Sequence, residues 1–185
     1  MNTLKDTYNH KIIPSLQKEL GLENSLAVPK LTKITVNTSS PEFHHDKELL
    51  EKTSYWLAAV TGQKPKLARA KKSIASFNLR EGDAIGLFVT LRGERMYDFF
   101  QKFVNIVLPR TKDFQGVKNT SFDSRGNYTI GLNEQIVFPE VDYDKIGRVQ
   151  GLEITISTSA RDPKSAHLLL AALGMPFAPD EESNK

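Results

Sequence analysis

The chain has 185 residues, 39% of them hydrophobic and 25% charged, with 25 Lys+Arg against 22 Asp+Glu and no cysteine. This composition predicts one folded domain over residues 1–178 followed by an acidic, disordered tail at 179–185, and it excludes disulfides, thiolate zinc sites and a cysteine nucleophile. No apolar run reaches the roughly 18 residues of a membrane helix, and the first residues lack a secretory core, so a cytoplasmic protein with no membrane contact is expected.

In chain order, Leu4, Tyr8, Ile12, Leu16 and Leu20 recur at helical spacing, with Pro14 threatening a kink. Leu31 to Thr38 reads as a strand, with Ile34 and Val36 on one face and Lys33, Thr35 and Asn37 on the other. After a loop at Ser39-Ser40-Pro41, a helix from about Asp46 to Thr61 is expected to bury Leu49, Leu50, Trp56, Leu57 and Val60 and to stop at Gly62.

Ala75, Phe77 and Leu79 then alternate as one strand, and Arg80-Glu81-Gly82-Asp83 turns the chain into an antiparallel second strand with Ile85, Leu87, Val89 and Leu91 inward and Phe88, Thr90 and Arg92 outward. A helix from Glu94 to Val107 is predicted to end before Pro109, and a long loop to follow from Arg110 to Asn127. Two further strands, Tyr128 to Asn133 and Gly151 to Ser159, precede a last helix that Asp162-Pro163 opens and Gly174 stops. The sum is an α+β fold, an antiparallel sheet with helices packed on one face and the other face exposed.

Charge is unevenly spread. Between Gln63 and Arg125 there are 13 Lys+Arg against 6 Asp+Glu, a surplus of 7, whereas the remainder of the chain is acidic, with 12 against 16. A basic middle suits a protein that grips phosphates with one face, and the outward Asn37, Thr90 and Arg92 offer amide, hydroxyl and guanidinium groups to sugars, phosphates and base edges. With Phe88 the main aromatic on that face, a helical RNA read by shape and backbone fits better than stacked single strands.

Catalytic signals are weak. His44-His45-Asp46 has no third ligand at a known spacing, and its adjacent side chains are expected to diverge, so it reads as an exposed pair without function. Glu140, Asp142 and Asp144 form an acidic cluster that would suit Mg2+ in a nuclease or phosphotransferase, the alternative function, although a solvated loop explains it as well. Phosphate-loop, dinucleotide and nucleophile-elbow motifs are absent, so no enzyme, cofactor or metal is expected.

Three strings carry a resemblance: Val89-Thr90-Leu91-Arg92-Gly93-Glu94-Arg95-Met96, Ser121-Phe122-Asp123-Ser124-Arg125-Gly126-Asn127-Tyr128 and Phe138-Pro139-Glu140-Val141-Asp142-Tyr143-Asp144-Lys145. With Gly62-Gln63-Lys64-Pro65 and Ala70-Lys71-Lys72-Ser73 they resemble, in order and spacing, the bacterial ribosomal protein L-five family, whose members bind 5S rRNA. The likeness runs from about Leu4 to Phe177. It implies a non-enzymatic constituent of the large subunit's central protuberance, among large-subunit proteins and rRNA. By the same resemblance Asn37, Gln63, Thr90 and Arg92 match the 5S-rRNA contacts. The loop Ala70 to Gly82, with Lys71, Lys72 and Arg80, matches a basic, mobile loop that meets P-site tRNA, and a bridge to a small-subunit head protein is implied. Thr38-Ser39-Ser40-Pro41 departs from the glycine-containing turn usual after Asn37, and the acidic tail is an addition.

Overall fold

The computed structural model describes residues 3–179; the acidic tail predicted from 179 onward lies, apart from Pro179, outside the described residues. Five strands, β1 (Leu31–Ser39), β2 (Lys66–Arg69), β3 (Ala84–Leu91), β4 (Tyr128–Leu132) and β5 (Leu152–Thr158), form one antiparallel sheet in the order β2-β3-β1-β5-β4, with helices packed against it. The described chain falls into two compact units, one made of residues 35–91 and 131–154, the other of residues 3–34, 92–130 and 155–179.

The first of these units contains a split βαβ arrangement. After β1, Thr38 donates its hydroxyl to Gly151 O at 2.8 Å, and Ser40 Oγ accepts from Glu42 N–H to start a short 3-10 turn, Pro41–His44. These are the hydroxyls that stand where a glycine turn was expected. Asp46 then caps helix α2 (Lys47–Thr61) by accepting from Leu49 N–H at 2.9 Å, and Gly62 ends it at φ 65°. Thr53, Trp56, Leu57 and Val60 are buried on its inner face, while Leu50, expected in the core, is half-buried. From α2 the chain enters β2 at the sheet edge and returns as β3 between β2 and β1.

The antiparallel partner of β3 is therefore not Ala75 to Leu79, as the alternation suggested, but β2, in the register Lys66 with Phe88 and Leu67 with Leu87. Ala75–Phe77 is a 3-10 turn, and Phe77 is 71% exposed, so its apolar alternation has no sheet to face. A register shift at Ala68/Arg69 bulges the start of β3. Gly86 lies at this point because β1 comes close: a Cβ there would sit 3.0 Å from Thr38 O. On the inner faces Ile34 and Val36, Leu87, Val89 and Leu91, and Leu152, Ile154 and Ile156 are all at or below 4% exposure, so the alternation read from sequence holds there; Ile85, also expected inward, is only half-buried because it is the extra residue of the bulge. Behind β5, Gln135 is fully buried and binds Arg148 O at 2.7 Å through Nε2, and Thr53 Oγ1 lies 3.2 Å from Gln150 Oε1.

In the other unit, the first helical rod, α1 (residues 4–19), is capped by Thr3 and consists of Leu4–Thr7, a π turn Tyr8–Ile12 and Ile13–Glu19. The wide turn precedes Pro14, which has no N–H to give and whose ring would crowd the carbonyl four residues back. Helix α3 repeats the device: Gly93–Lys102, a π turn Phe103–Val107, then Leu108–Arg110 with Pro109 inside it. Pro109 was expected to end that helix at Val107; the π turn absorbs it and carries the helix three residues further. Tyr8 and Tyr97 pack ring to ring at 6.0 Å between the two rods, and Tyr8 donates to Pro29 O at 2.8 Å while burial pushes its phenol up to about 12. Helix α4 (Pro163–Ala172) is capped by Asp162, which accepts from Ser165 N–H at 2.8 Å.

Candidate nucleic-acid interface

Because Ile34, Val36, Val89 and Leu91 point into the core, the residues between them point out. Asn37 on β1 and Thr90 on β3 are both half-buried on this outer side, on neighbouring strands, and Phe88 and Lys66 share it through their pairing. Gln63 reaches the same strand from the turn after α2: its Nε2 donates to Thr90 O at 3.3 Å, and Thr61 Oγ1, 3.1 Å from Gln63 O, braces the turn. The structure thus brings Gln63, Thr90 and Asn37 onto one side of one unit. Arg92 opens α3 in the other unit; its backbone is extended, with φ −142° and ψ 165°, its side chain is exposed, and it makes no ion pair or hydrogen bond among the described residues.

Lys71, Lys72 and Arg80 lie in a loop whose two limbs are tied by hydrogen bonds. Ala70 N–H donates to Asp83 O at 2.9 Å and Gly82 N–H to Ala70 O at 3.0 Å, while Arg69 Nη1 grips Gly82 O at 2.8 Å. A second rung joins Ile74 and Leu79 in both directions, at 2.9 and 3.2 Å. The three cationic side chains are exposed on the limbs of this two-rung loop and have no protein partner among the described residues. Phe77 stands at its tip. The strand β2, which carries Lys66, escaped the sequence reading because it has only four residues and its burial does not alternate.

Two of the motif strings are chiefly architectural. In Ser121 to Tyr128, Asp123 Oδ1 accepts from Arg125 N–H at 2.9 Å and Asn127 N–H at 2.7 Å, and Oδ2 accepts from Asn127 Nδ2 at 2.7 Å. These bonds, the Asn127 side chain first, hold the Asp123 carboxyl below the usual 3.8. Gly126 sits at φ 74° with Asp162 O 2.9 Å from where a Cβ would be, so both its backbone and its surroundings require glycine. In Phe138 to Lys145, Asp142 accepts from Asp144 N–H at 3.2 Å and pairs with Lys145 at 2.9 Å, which lowers its pKa. Asp142 and Asp144 therefore shape a turn. No group of three or more His, Asp and Glu able to hold a metal occurs among the described residues, and the nuclease alternative has no support. His44 and His45 do not diverge: the end of the 3-10 turn places their rings 3.6 Å apart, centroid to centroid.

An antiparallel sheet with one apolar, helix-covered face and one polar face, bordered by cations that have no protein partners among the described residues, defines an α+β RNA-binding protein. A model of the C-terminus of the ribosomal protein L5 family matches residues 84–177, and one described as ribosomal protein L5 matches residues 24–80. The chain is 50% identical over 176 residues to the large ribosomal subunit protein uL5c of Gracilaria tenuistipitata, covering 95% of this chain and 98% of that protein. It is 49% identical over 178 residues to uL5 of Carboxydothermus hydrogenoformans (96% and 99% covered) and 51% over 177 residues to uL5 of Limosilactobacillus fermentum (96% and 98%). The chain belongs to the ribosomal protein L5 family.

Proposed function

We propose that this protein is a structural constituent of the large ribosomal subunit that binds 5S rRNA through Asn37, Gln63, Thr90 and Arg92. The observation that carries the reading is the outer side of β1 and β3: polar groups with spare donors and acceptors stand on a strand pair whose other side is closed by the core. Amide and hydroxyl groups on a rigid sheet suit sugar and backbone contacts in a helical RNA, and Arg92 suits a phosphate or a guanine edge. The protein acts in the cytoplasm, within the ribosome, beside large-subunit proteins and rRNA. Lys71, Lys72 and Arg80 contact P-site tRNA, and a further surface joins a protein of the small-subunit head.

The test is binding to 5S rRNA over a range of salt. Neutralising several phosphates releases counterions, so affinity falls steeply as salt rises, and it exceeds that for an unrelated duplex of equal length. Equal affinity for the two RNAs refutes specific recognition.

A further inference from the structure

The chain passes into its acidic end from a fixed point. Val117 N–H donates to Pro176 O at 2.8 Å, Ala178 N–H donates to Val117 O at 2.9 Å, and Asn119 Nδ2 donates to Ala178 O at 3.1 Å, so residues 176–178 run parallel to residues 117–119. Gly116 makes room for this crossing: a Cβ there would stand 2.5 Å from Ala178 N. The Phe177 ring lies 4.2 Å from that of His167 on α4 and 5.9 Å from that of Phe122, centroid to centroid. Beyond Pro179 the sequence is Asp180-Glu181-Glu182-Ser183-Asn184-Lys185, three carboxylates and one cation.

The segments that hold this exit carry the opposite charge. Residues 110–125 and 160–167 contain six Lys+Arg, all exposed, against three Asp. None of the six cations forms a salt bridge among the described residues, and two of the three acids are engaged: Asp123 accepts from Arg125 and Asn127 N–H, and Asp162 from Ser165 N–H. Lys118 adjoins the Val117 bridge, Lys164 lies one turn before His167, and Arg125 belongs to the turn whose Gly126 packs on Asp162 O and the Ala166 methyl. We propose that residues 180–185 lie on this cationic surface in the RNA-free protein and compete with RNA phosphates for it. Six extended residues reach about 20 Å, which brings Arg125 and Lys164 as well as Lys118 within range, and so short a tether holds the carboxylates there at roughly millimolar effective concentration. Exposed ion pairs are individually weak and screened by salt, so the segment displaces RNA held by charge alone and yields to an RNA that adds specific contacts. That competition rests on the RNA-binding reading; the contact between the acidic segment and the body does not.

The test uses the full chain, which has no cysteine, so that Ser183→Cys gives a single site for a nitroxide while nitrogen-15 reports which amides it broadens. At low salt and without RNA, the amides of Arg125 and Lys164 are expected to broaden more than in a second labelled chain that also carries Asp180→Asn, Glu181→Gln and Glu182→Gln, and the difference is expected to vanish at about 0.5 M salt. Equal broadening in the two chains overturns the contact. If the same amides broaden when nitroxide and nitrogen-15 are placed on separate molecules, the acidic segment reaches a second copy, which overturns the intramolecular contact too. Without the label, the neutralised chain is expected to bind an RNA duplex unrelated to 5S rRNA about fivefold more tightly than the unaltered chain at low salt, and equally at high salt; equal affinity at low salt overturns the competition. Loss of 5S-rRNA preference with the broadening difference intact would count against the proposed function alone.

Discussion

Replacing Arg92 by Ala separates binding from folding. The side chain is exposed, has no ion pair or hydrogen bond among the described residues, and gives no capping bond to α3 although it occupies the cap position. Its loss should therefore leave stability within about 0.5 kcal/mol, the usual range for a free surface residue. A direct contact to RNA is worth far more: roughly 1–3 kcal/mol if the guanidinium reads a base edge in a bidentate bond, which is about 5- to 150-fold in affinity. If it meets a phosphate instead, the slope of log affinity against log salt should fall by about 1. Urea unfolding of the free protein and 5S-rRNA titrations at several salt concentrations measure both quantities on one variant. An unchanged affinity and slope, or a lowered unfolding midpoint with normal affinity of the folded fraction, would refute the assignment of Arg92 to RNA.

Replacing Lys71, Lys72 and Arg80 together by Ala should leave 5S-rRNA affinity and incorporation into large subunits near normal while speeding dissociation of P-site tRNA, an effect that shrinks at high salt; lost 5S-rRNA affinity with normal tRNA retention would reverse the assignment. Gly86→Ala places a methyl 3.0 Å from the Thr38 carbonyl of β1 and should cost roughly 1–3 kcal/mol of stability, read from urea melts. Asp123→Asn should flatten the acid limb of stability. The folded carboxyl is held below 3.8, so its contribution is present above that value and is lost as pH falls through the folded pKa, and midpoints measured downward from about pH 5 should converge for the two proteins.

Where a buried face set the pattern, the sequence was readable. Ile34 and Val36, Val89 and Leu91, and Ile154 and Ile156 alternate because one side of each strand is dry, and Asp46 and Asp162 sit where helix caps belong. Where structure depends on what comes from afar, it was not. The alternation of Ala75, Phe77 and Leu79 imitates a strand but meets no second layer, whereas Lys66–Arg69 is a strand only because β3 returns beside it. Pro14 looked like a kink and Pro109 like an end because the usual rule assumes a regular helix; a π turn before each moves the backbone enough to accept them.

The candidate site divides along the same line. Asn37 and Thr90 could be found by alternation, being the polar complement of a buried face, but alternation cannot tell a binding residue from a solvated one, and their proposed contact with RNA rests on the family resemblance. Gln63 carried no such signal: it follows α2 in a turn, and only the fold brings its amide to the Thr90 carbonyl, 27 residues on. That bond gives Gln63 a different character from its partners. Asn37 can be altered with little consequence for the core, because the residues that stabilise β1 occupy the opposite side of that strand, and Arg92, exposed at the start of α3, has no hydrogen bond or ion pair to lose among the described residues. Gln63 fastens the turn after α2 to β3, so its amide both holds the turn in place and fixes its own direction. The outer face is thus neither a by-product of packing nor independent of it: the core leaves β1 and β3 rigid with one side open, and one short side-chain tie brings in a residue that no strand could have placed there.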